Sequence, residues 1–526
     1  MISKEAIKRG YNRGNYVVGA HTPPPYSLSL PAARGAAVEA VEAVEAGMQR
    51  APVALSAQQV DALRAVADEV LTQPADVVAW TRDWWAASMV TETAGRPATP
   101  HAVVVRVSTV EQVQAVTRIA HAASIPVTAS AGRSNVTGAA LPVRGGIVLD
   151  VCALNRLIGV DAQSQIVEVE AGMFGDVFEE TIQREHGLTM GHWPSSFGIS
   201  TIGGWIACRG AGQLSTRYGK IEDMVFGMDV VLADGSLITV GGYSRAAVGP
   251  DLQQMFIGSE GTLGIIVRAR LKLHRLPDYG RAIAYGFDTF AAGLDACREI
   301  LQRGANPAAL RLYDALESGV QFGLPDTNVL LIADEGAREL VDAVLAISAQ
   351  VCEAGGRRLD GDAIFERWLD TRYLTGKSAE GFKRGPGFVA DTLEMCGRWR
   401  DLAAIYHDVV AALQAVPGTL AGSAHQSHAY ADGACLYFSL RGDVAVEQRA
   451  AWYRAAWDAA NAVLIQYNAA LSHHHGVGLL RSPYMRDSLG TAFPVLQAVK
   501  RALDPTHILN PGKLGLGDET GPHVDR

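Results

Sequence analysis

The sequence predicts an α+β fold built from two mixed modules. Three observations predict it. Strand-like and helix-like stretches alternate from Ala102 to about Asp278. Three blocks inside that region are rich in glycine and hydroxyl residues, and the pattern restarts with a different mix from about Tyr279. The 526 residues exceed what one hydrophobic core holds, so two or three domains are expected.

Composition narrows the class. Hydrophobic content of 48% against 19% charged fits a globular chain and not a disordered one. The formal net charge of -9 repels nucleic-acid phosphates, so no nucleic-acid partner is expected. The six cysteines are scattered without a CxxC pair, which argues against a disulfide framework or structural zinc and suits a reducing compartment. No apolar run reaches the roughly 18 residues of a membrane span. A cytoplasmic location is the expectation.

The elements follow in order. Residues 1–90 read as an N-terminal arm. The run His21 to Pro31 is extended, because consecutive prolines fix φ and lack N–H donors. Val38, Val41 and Val44 then recur with glutamates beside them, a docking or exposed helix. "AVVVRVS" reads as a strand, and "TVEQVQAVTRIAHAASI" as a helix with Thr109 as N-cap and Glu111 in its first turn. "PVTASAG", "GGIVLDV" and "SQIVEVEAG" read as strands, and "FGDVFEETIQREHG" as a helix ended by glycine. A hairpin turning at Asp234-Gly235 and a strand after Gly261 complete the module.

Three blocks carry the chemistry. "TASAGRSNVTG" follows a strand; its small residues permit close backbone approach, and successive N–H groups there suit a diphosphate. Arg133 would add charge-assisted bonds. No GxGxxG fingerprint is present, so a Rossmann site is not supported. "WPSSFGISTIGGWIACRGAGQLSTRYGKIEDMV" combines hydroxyls, flexible backbone and aromatic walls, which suits a large cofactor with polar and flat parts. "FIGSEGTLGIIV" again offers backbone approach at Gly258, Gly261 and Gly264.

In order, spacing and the strings "STIGGW" and "GSEGTLG", these blocks resemble the PCMH-type flavin domain of the vanillyl-alcohol-oxidase superfamily. "LRLYD", "SHAYADGACLYFSL" and "LSHHHGVG" narrow the resemblance to the alkyldihydroxyacetonephosphate synthases, over about Trp80 to Leu514. The resemblance implies an FAD-binding domain of two subdomains at 91–278, an α+β cap or substrate domain at 279–465, and a segment at 466–526 packing back on the FAD domain. It implies exchange of the acyl group of an acyl-dihydroxyacetone phosphate for a fatty alcohol, with FAD as covalent trap and no net redox.

By match, FAD would lie on Thr128, Ala129, Ser130, Ala131, Gly132, Arg133 and Ser134, then on Ser195, Ser196, Ser200 and Thr201. It would continue along Cys208, Arg209, Gly210 and Ala211, and along Glu260, Gly261, Thr262, Leu263, Gly264, Ile265 and Ile266. Tyr437 would be the catalytic tyrosine, with His473, His474 and His475 beside it; no metal is expected. A phenol moves a proton only if its phenolate is stabilised, and imidazoles can orient it or relay its proton. On an extended segment alternate residues share a face, which would pair His473 with His475.

One departure concerns the substrate. Counting back fourteen residues from Glu394, where the family has a substrate arginine, reaches Glu380; Arg372, Lys377, Lys383 and Arg384 lie nearby. Arg311 matches another family arginine, with an ion pair to Asp314 as the structural alternative. Lys513 in "NPGKL" faces the flavin or is a surface lysine, and His192 is a polar flavin neighbour or a flavin link. The rival reading is an FAD-dependent oxidoreductase acting on an alcohol or 2-hydroxy acid. Those relatives carry metal-binding histidines in "GDGNLH" and "EHGIG" strings, where this chain has "GACLYF" and "HHHGVG". A small-molecule or lipid-like substrate and a homodimer are implied. Lys4, Lys8, Arg9 and Arg13 are a membrane-contact patch or a solvated terminus.

Overall fold

The computed structural model describes residues 52–77, 80–87, 101–372 and 387–517. The valine-glutamate run, the Lys4–Arg13 patch, and Lys377, Lys383 and Arg384 lie outside them. The first sheet holds β1 (Glu69–Leu71), β2 (Ala102–Arg106), β3 (Val127–Ser130) and β4 (Gly146–Asp150), in the order β1-β2-β4-β3. Strands β2, β4 and β3 are parallel, and β4 is buried along its whole length. Its apolar run Ile147, Val148 and Leu149 is what a strand covered on both faces requires. The helix Val110–Ala122 has Thr109 as N-cap, in a reciprocal capping box with Gln112.

The second sheet takes β5 (Leu157–Asp161), β6 (Ile166–Glu170), β8 (Val225–Val231), β9 (Leu237–Gly241) and β10 (Ile265–Lys272), ordered β5-β6-β10-β8-β9. The short β7 (Leu188–Thr189) pairs with β11 (His274–Arg275). The helix Gly175–His186 ends on Gly187 in the left-handed region, as the sequence predicts. The β8–β9 hairpin turns through Asp234 and Gly235, where Gly235 has φ +79° and donates to the Leu232 carbonyl at 2.9 Å.

The third sheet positions the site. It contains β12 (Tyr279–Phe287), β13 (Ala309–Tyr313), β14 (Asn328–Gly336), β15 (Arg357–Leu359), β16 (Phe388–Arg398), β17 (Thr419–Ala429) and β18 (Gly433–Asp443). Its order is β15-β12-β14-β13-β17-β18-β16, and every pairing is antiparallel. Side chains alternate between faces. Leu310, Leu312, Leu393, Met395, Leu436 and Phe438 join a core with the helices Phe290–Gln302, Trp399–Gln414 and Arg449–Gln466. Their neighbours Arg311, Tyr313, Thr392, Tyr437, Ser439 and Arg441 face a cavity.

The chain end returns to the first sheet. Val127 donates to the Ile508 carbonyl at 2.7 Å and accepts from Asn510 N–H at 2.8 Å. Lys513 is fully buried and donates to the carbonyl of Leu141 at 2.7 Å and to Asn510 at 3.2 Å. It is therefore neither a surface lysine nor part of the cavity wall; it ties the tail to the interior. No helix among the described residues is long and apolar enough to cross a membrane.

Candidate active site

A cavity of about 680 Å³ lies between the glycine-rich segments and the open face of the third sheet. Ala129, Ser130, Ala131, Gly132, Arg133 and Ser134 line it, with Ser195, Ser196, Thr201, Cys208, Gly210 and Ala211. Glu260, Gly261, Gly264, Ile265 and Ile266 line it from the third block. So segments far apart in sequence meet around one space. A Cβ on Gly132 would lie 2.2 Å from the Ile199 carbonyl oxygen, so only glycine lets the first block seat against the second.

Five residues of the expected cofactor set stand behind this wall. Thr128 donates to Asn510 at 3.4 Å, Ser200 accepts from the Trp205 indole at 2.7 Å, and Thr262 donates to the Ser259 carbonyl at 2.7 Å. Leu263 is in the hydrophobic core, and Arg209 turns to Glu222 and Gln254. They shape the wall without lining it.

The histidine triplet is a run of bends, not a strand. The cause is Glu394 on β16. Its Oε1 accepts from Ser472 Oγ at 2.8 Å and from His475 N–H at 2.8 Å, and its Oε2 accepts from His473 N–H. Arg481 Nη2 reaches Oε1 at 3.4 Å, and both side chains are fully buried. Burial opposes ionisation of Glu394, but Arg481, His475 and the N–H donors outweigh it and hold its carboxyl below the usual range. Glu260 fastens the other end of the turn, accepting from Val477 N–H at 2.5 Å and Gly478 N–H at 2.8 Å. Burial raises the Glu260 carboxyl to about 7.

The bends aim the rings differently from an extended strand. His474 and His475 line the cavity and His473 does not. His475 Nε2 lies 3.0 Å from Tyr437 Oη, and Thr392 Oγ donates to the same hydroxyl at 3.3 Å. Burial raises the Tyr437 phenol well above its ordinary value and lowers the His475 imidazole to about 4, so both are neutral near pH 7. The Tyr437 ring stacks on His425, which stacks on Tyr313.

His428, His473 and His474 form a second cluster, with ring nitrogens within 4.8 Å of one another. Ser215 sits 2.6 Å from His428 Nδ1 and Tyr430 2.8 Å from His473 Nε2, and the Nδ1 atoms of His473 and His474 are 3.0 Å apart. Burial keeps all three imidazoles neutral. The spacing also suits a metal ion.

The cavity wall beyond Tyr437 is cationic and polar. Arg311 donates its Nε–H to Tyr313 Oη at 2.9 Å and lies 5.8 Å from the Trp368 ring. Asp314 instead caps the helix Ala315–Phe322 and accepts from Ala424 N–H at 2.7 Å. Arg372, the one described residue among the four cations near the gap in the substrate-arginine pattern, is buried, lines the cavity and lies 4.8 Å from the same ring. Arg441 faces the cavity and pairs with Glu317 at 3.4 Å. Glu317 and Arg441 escaped the sequence reading; only the period-two spacing of Tyr437, Ser439 and Arg441 on β18 hinted at the second.

The cavity fits a large polar ligand. Ser130 Oγ, Gln213 Oε1 and both ring nitrogens of His192 are buried without hydrogen-bond partners, although all three residues line it. Buried polar atoms are rarely left so. Burial lowers the His192 imidazole to about 3, and its ring packs at a tilt against Trp205 with centroids 4.5 Å apart, so it is a neutral polar group at the wall.

Comparison with known proteins agrees with this geometry. Residues 100–241 match the family described as an FAD binding domain, and residues 276–514 match the C-terminal domain of FAD linked oxidases. The alkyldihydroxyacetonephosphate synthase of Trypanosoma brucei brucei is 30% identical over 420 residues, covering 73% of this chain and 68% of that protein. The uncharacterized FAD-linked oxidoreductase YgcU of Escherichia coli O157:H7 is also 30% identical, over 78% of this chain and 88% of that one. A solved structure of an alkyldihydroxyacetonephosphate synthase superposes with a TM-score of 0.72 at 23% identity, covering 89% of this chain and 86% of that one. The chain therefore belongs to the FAD linked oxidase family, alongside the alkyldihydroxyacetonephosphate synthases, and is an FAD-dependent enzyme.

Proposed function

We propose that this enzyme exchanges the acyl group of an acyl-dihydroxyacetone phosphate for a fatty alcohol. The observation that carries the reading is the Tyr437–His475 pair, 3.0 Å apart, at the cavity where the glycine-rich segments meet the third sheet. Bound FAD would supply an electrophilic ring, held by the 129–134, 195–201, 208–211 and 260–266 segments. The chain's own part is proton handling and positioning. A neutral phenol beside a neutral imidazole can accept a substrate proton on oxygen while releasing its own to nitrogen, without a free phenolate at rest. Arg311 and Arg372 beside the Trp368 ring, with Arg441, are the cations that would meet a phosphate on this side of the cavity.

The second reading, oxidation of an alcohol or 2-hydroxy acid, is favoured by one observation. The wall around Tyr437 is polar, with Arg311, Gln321, Thr371, Arg372, His425, Ser439 and Arg441 lining it. The two readings separate in one experiment. Purified enzyme is incubated with acyl-dihydroxyacetone phosphate and labelled fatty alcohol, and separately with 2-hydroxy acids and a dye acceptor. Labelled ether is the expected product; dye reduction without ether selects the oxidoreductase. A homodimer, a cytoplasmic location and peripheral membrane contact belong to the first reading, and mass in solution with vesicle co-sedimentation checks the first and last.

A further inference from the structure

We propose that Glu394 is the positioning residue that fixes the tautomer of His475, so that Glu394, His475 and Tyr437 act as one carboxylate–imidazole–phenol relay. This rests on the reading of Tyr437 as the proton-handling group. Three observations carry it. First, Glu394 on β16 lies directly opposite Tyr437 on β18. Residues directly opposite in an antiparallel pair project on the same face, so the carboxylate and the phenol stand side by side.

Second, Glu394 accepts the main-chain N–H of His475 at 2.8 Å, which sets where the imidazole starts. Third, the two ring nitrogens of His475 meet different groups. Nε2 lies 3.0 Å from the Tyr437 hydroxyl. Nδ1 makes no hydrogen bond and lies 3.5 Å from Glu394 Oε1. A lone pair on Nδ1 would face an anion in a buried site, which is repulsive; an N–H there is attractive. The carboxylate thus favours hydrogen on Nδ1, which leaves Nε2 as the acceptor for the phenol O–H.

The step balances. A substrate X–H bond breaks and its electron pair stays with the substrate. A new O–H bond forms on Tyr437 as its own O–H bond breaks, and that proton forms an N–H bond at His475 Nε2. The resulting imidazolium stands between Tyr437 and the ionised Glu394, and the return step reverses each bond. Arg481 holds Glu394 in place, 3.4 Å from Oε1 and bonded to the Gly476 carbonyl at 2.8 Å.

The tautomer can be read without any substrate. FAD-loaded enzyme labelled with ¹⁵N-histidine is compared with the His475→Gln variant to assign the His475 nitrogens. The expected spectrum shows Nδ1 protonated and Nε2 bare; a protonated Nε2 in wild type overturns the proposal. Glu394→Gln should shift His475 toward the other tautomer while flavin absorbance is retained. If that variant does not fold, the wild-type spectrum still decides. With a working turnover assay, Glu394→Gln should lower kcat about a hundredfold. In a Tyr437→Phe background it should change kcat less than about twofold, because the two act as a unit. Equal losses in both backgrounds would mean a structural role only. Failure of the alkyl-exchange reading would appear as absent ether product with the expected tautomer intact.

Discussion

Removing the cation from the buried Glu394–Arg481 pair should cost stability in a pH-dependent way. Arg481→Met keeps length and removes the charge. In the wild type the pair is fully buried, and Arg481 also bonds the Gly476 carbonyl and lies 5.0 Å from the Trp457 ring. Breaking a buried pair from one side typically costs about 3–5 kcal/mol, because the remaining charge stays desolvated. With an unfolding entropy of about 2.1 cal/mol/K per residue, that cost lowers Tm by about 3–5 °C if the 526 residues melt together. The sign of the pH effect follows from Glu394. Its folded-state carboxyl is depressed, so its stabilisation is present above the unfolded value and is lost as pH falls through the folded one. Without Arg481, burial is opposed only by the remaining donors, and the carboxyl moves up. The deficit of the variant should therefore be largest near neutral pH and shrink as pH falls through the ordinary carboxylate range, where a protonated Glu394 needs no cation. Melting curves of both proteins at about pH 7.5 and about pH 4.5 read this directly. An equal deficit at both, or none at either, would refute the reasoning.

Other outcomes are equally specific. Tyr437→Phe should lower turnover about 10²–10⁴-fold while the protein stays yellow, as judged by flavin absorbance and kcat. Glu260→Gln removes the titrating group and keeps one of the two oxygens that accept from Val477 and Gly478 N–H; because burial raises Glu260 to about 7, its protonated form is favoured in the fold and that contribution is lost as pH rises through 7. The variant should therefore gain on wild type by up to about 3 kcal/mol between about pH 4.5 and about pH 7, measured by urea unfolding across that range. Gly132→Ala places a methyl 2.2 Å from the Ile199 carbonyl and should lower FAD content of the purified protein more than it lowers Tm. Arg372→Met should raise KM for a phosphorylated substrate more than it lowers kcat, tested by steady-state kinetics.

Much of the fold and of the cavity wall was legible in the sequence because local chemistry dictates it. Thr109 announced a helix start, Gly187 a helix end, and Asp234-Gly235 a hairpin, each through a backbone conformation those residues favour. The three glycine-rich blocks were visible because a backbone that approaches a ligand must lack side chains. What was not legible lies in contacts across long separations. Nothing local to "LSHHHGVG" says that Glu394, about eighty residues earlier, gathers its N–H groups and bends it. Alternation along an imagined strand therefore paired His473 with His475, whereas the bends turn His474 and His475 to the cavity. The same limit hid Glu317, whose place beside Arg441 exists only once the helix Ala315–Phe322 packs against β17 and β18.

The most direct test is an experimental structure of the purified protein with FAD bound. The expected result places the diphosphate on the 129–134 loop and the flavin ring within contact of Tyr437 and His475. A flavin ring turned away from that pair, or FAD seated outside the cavity, would contradict it.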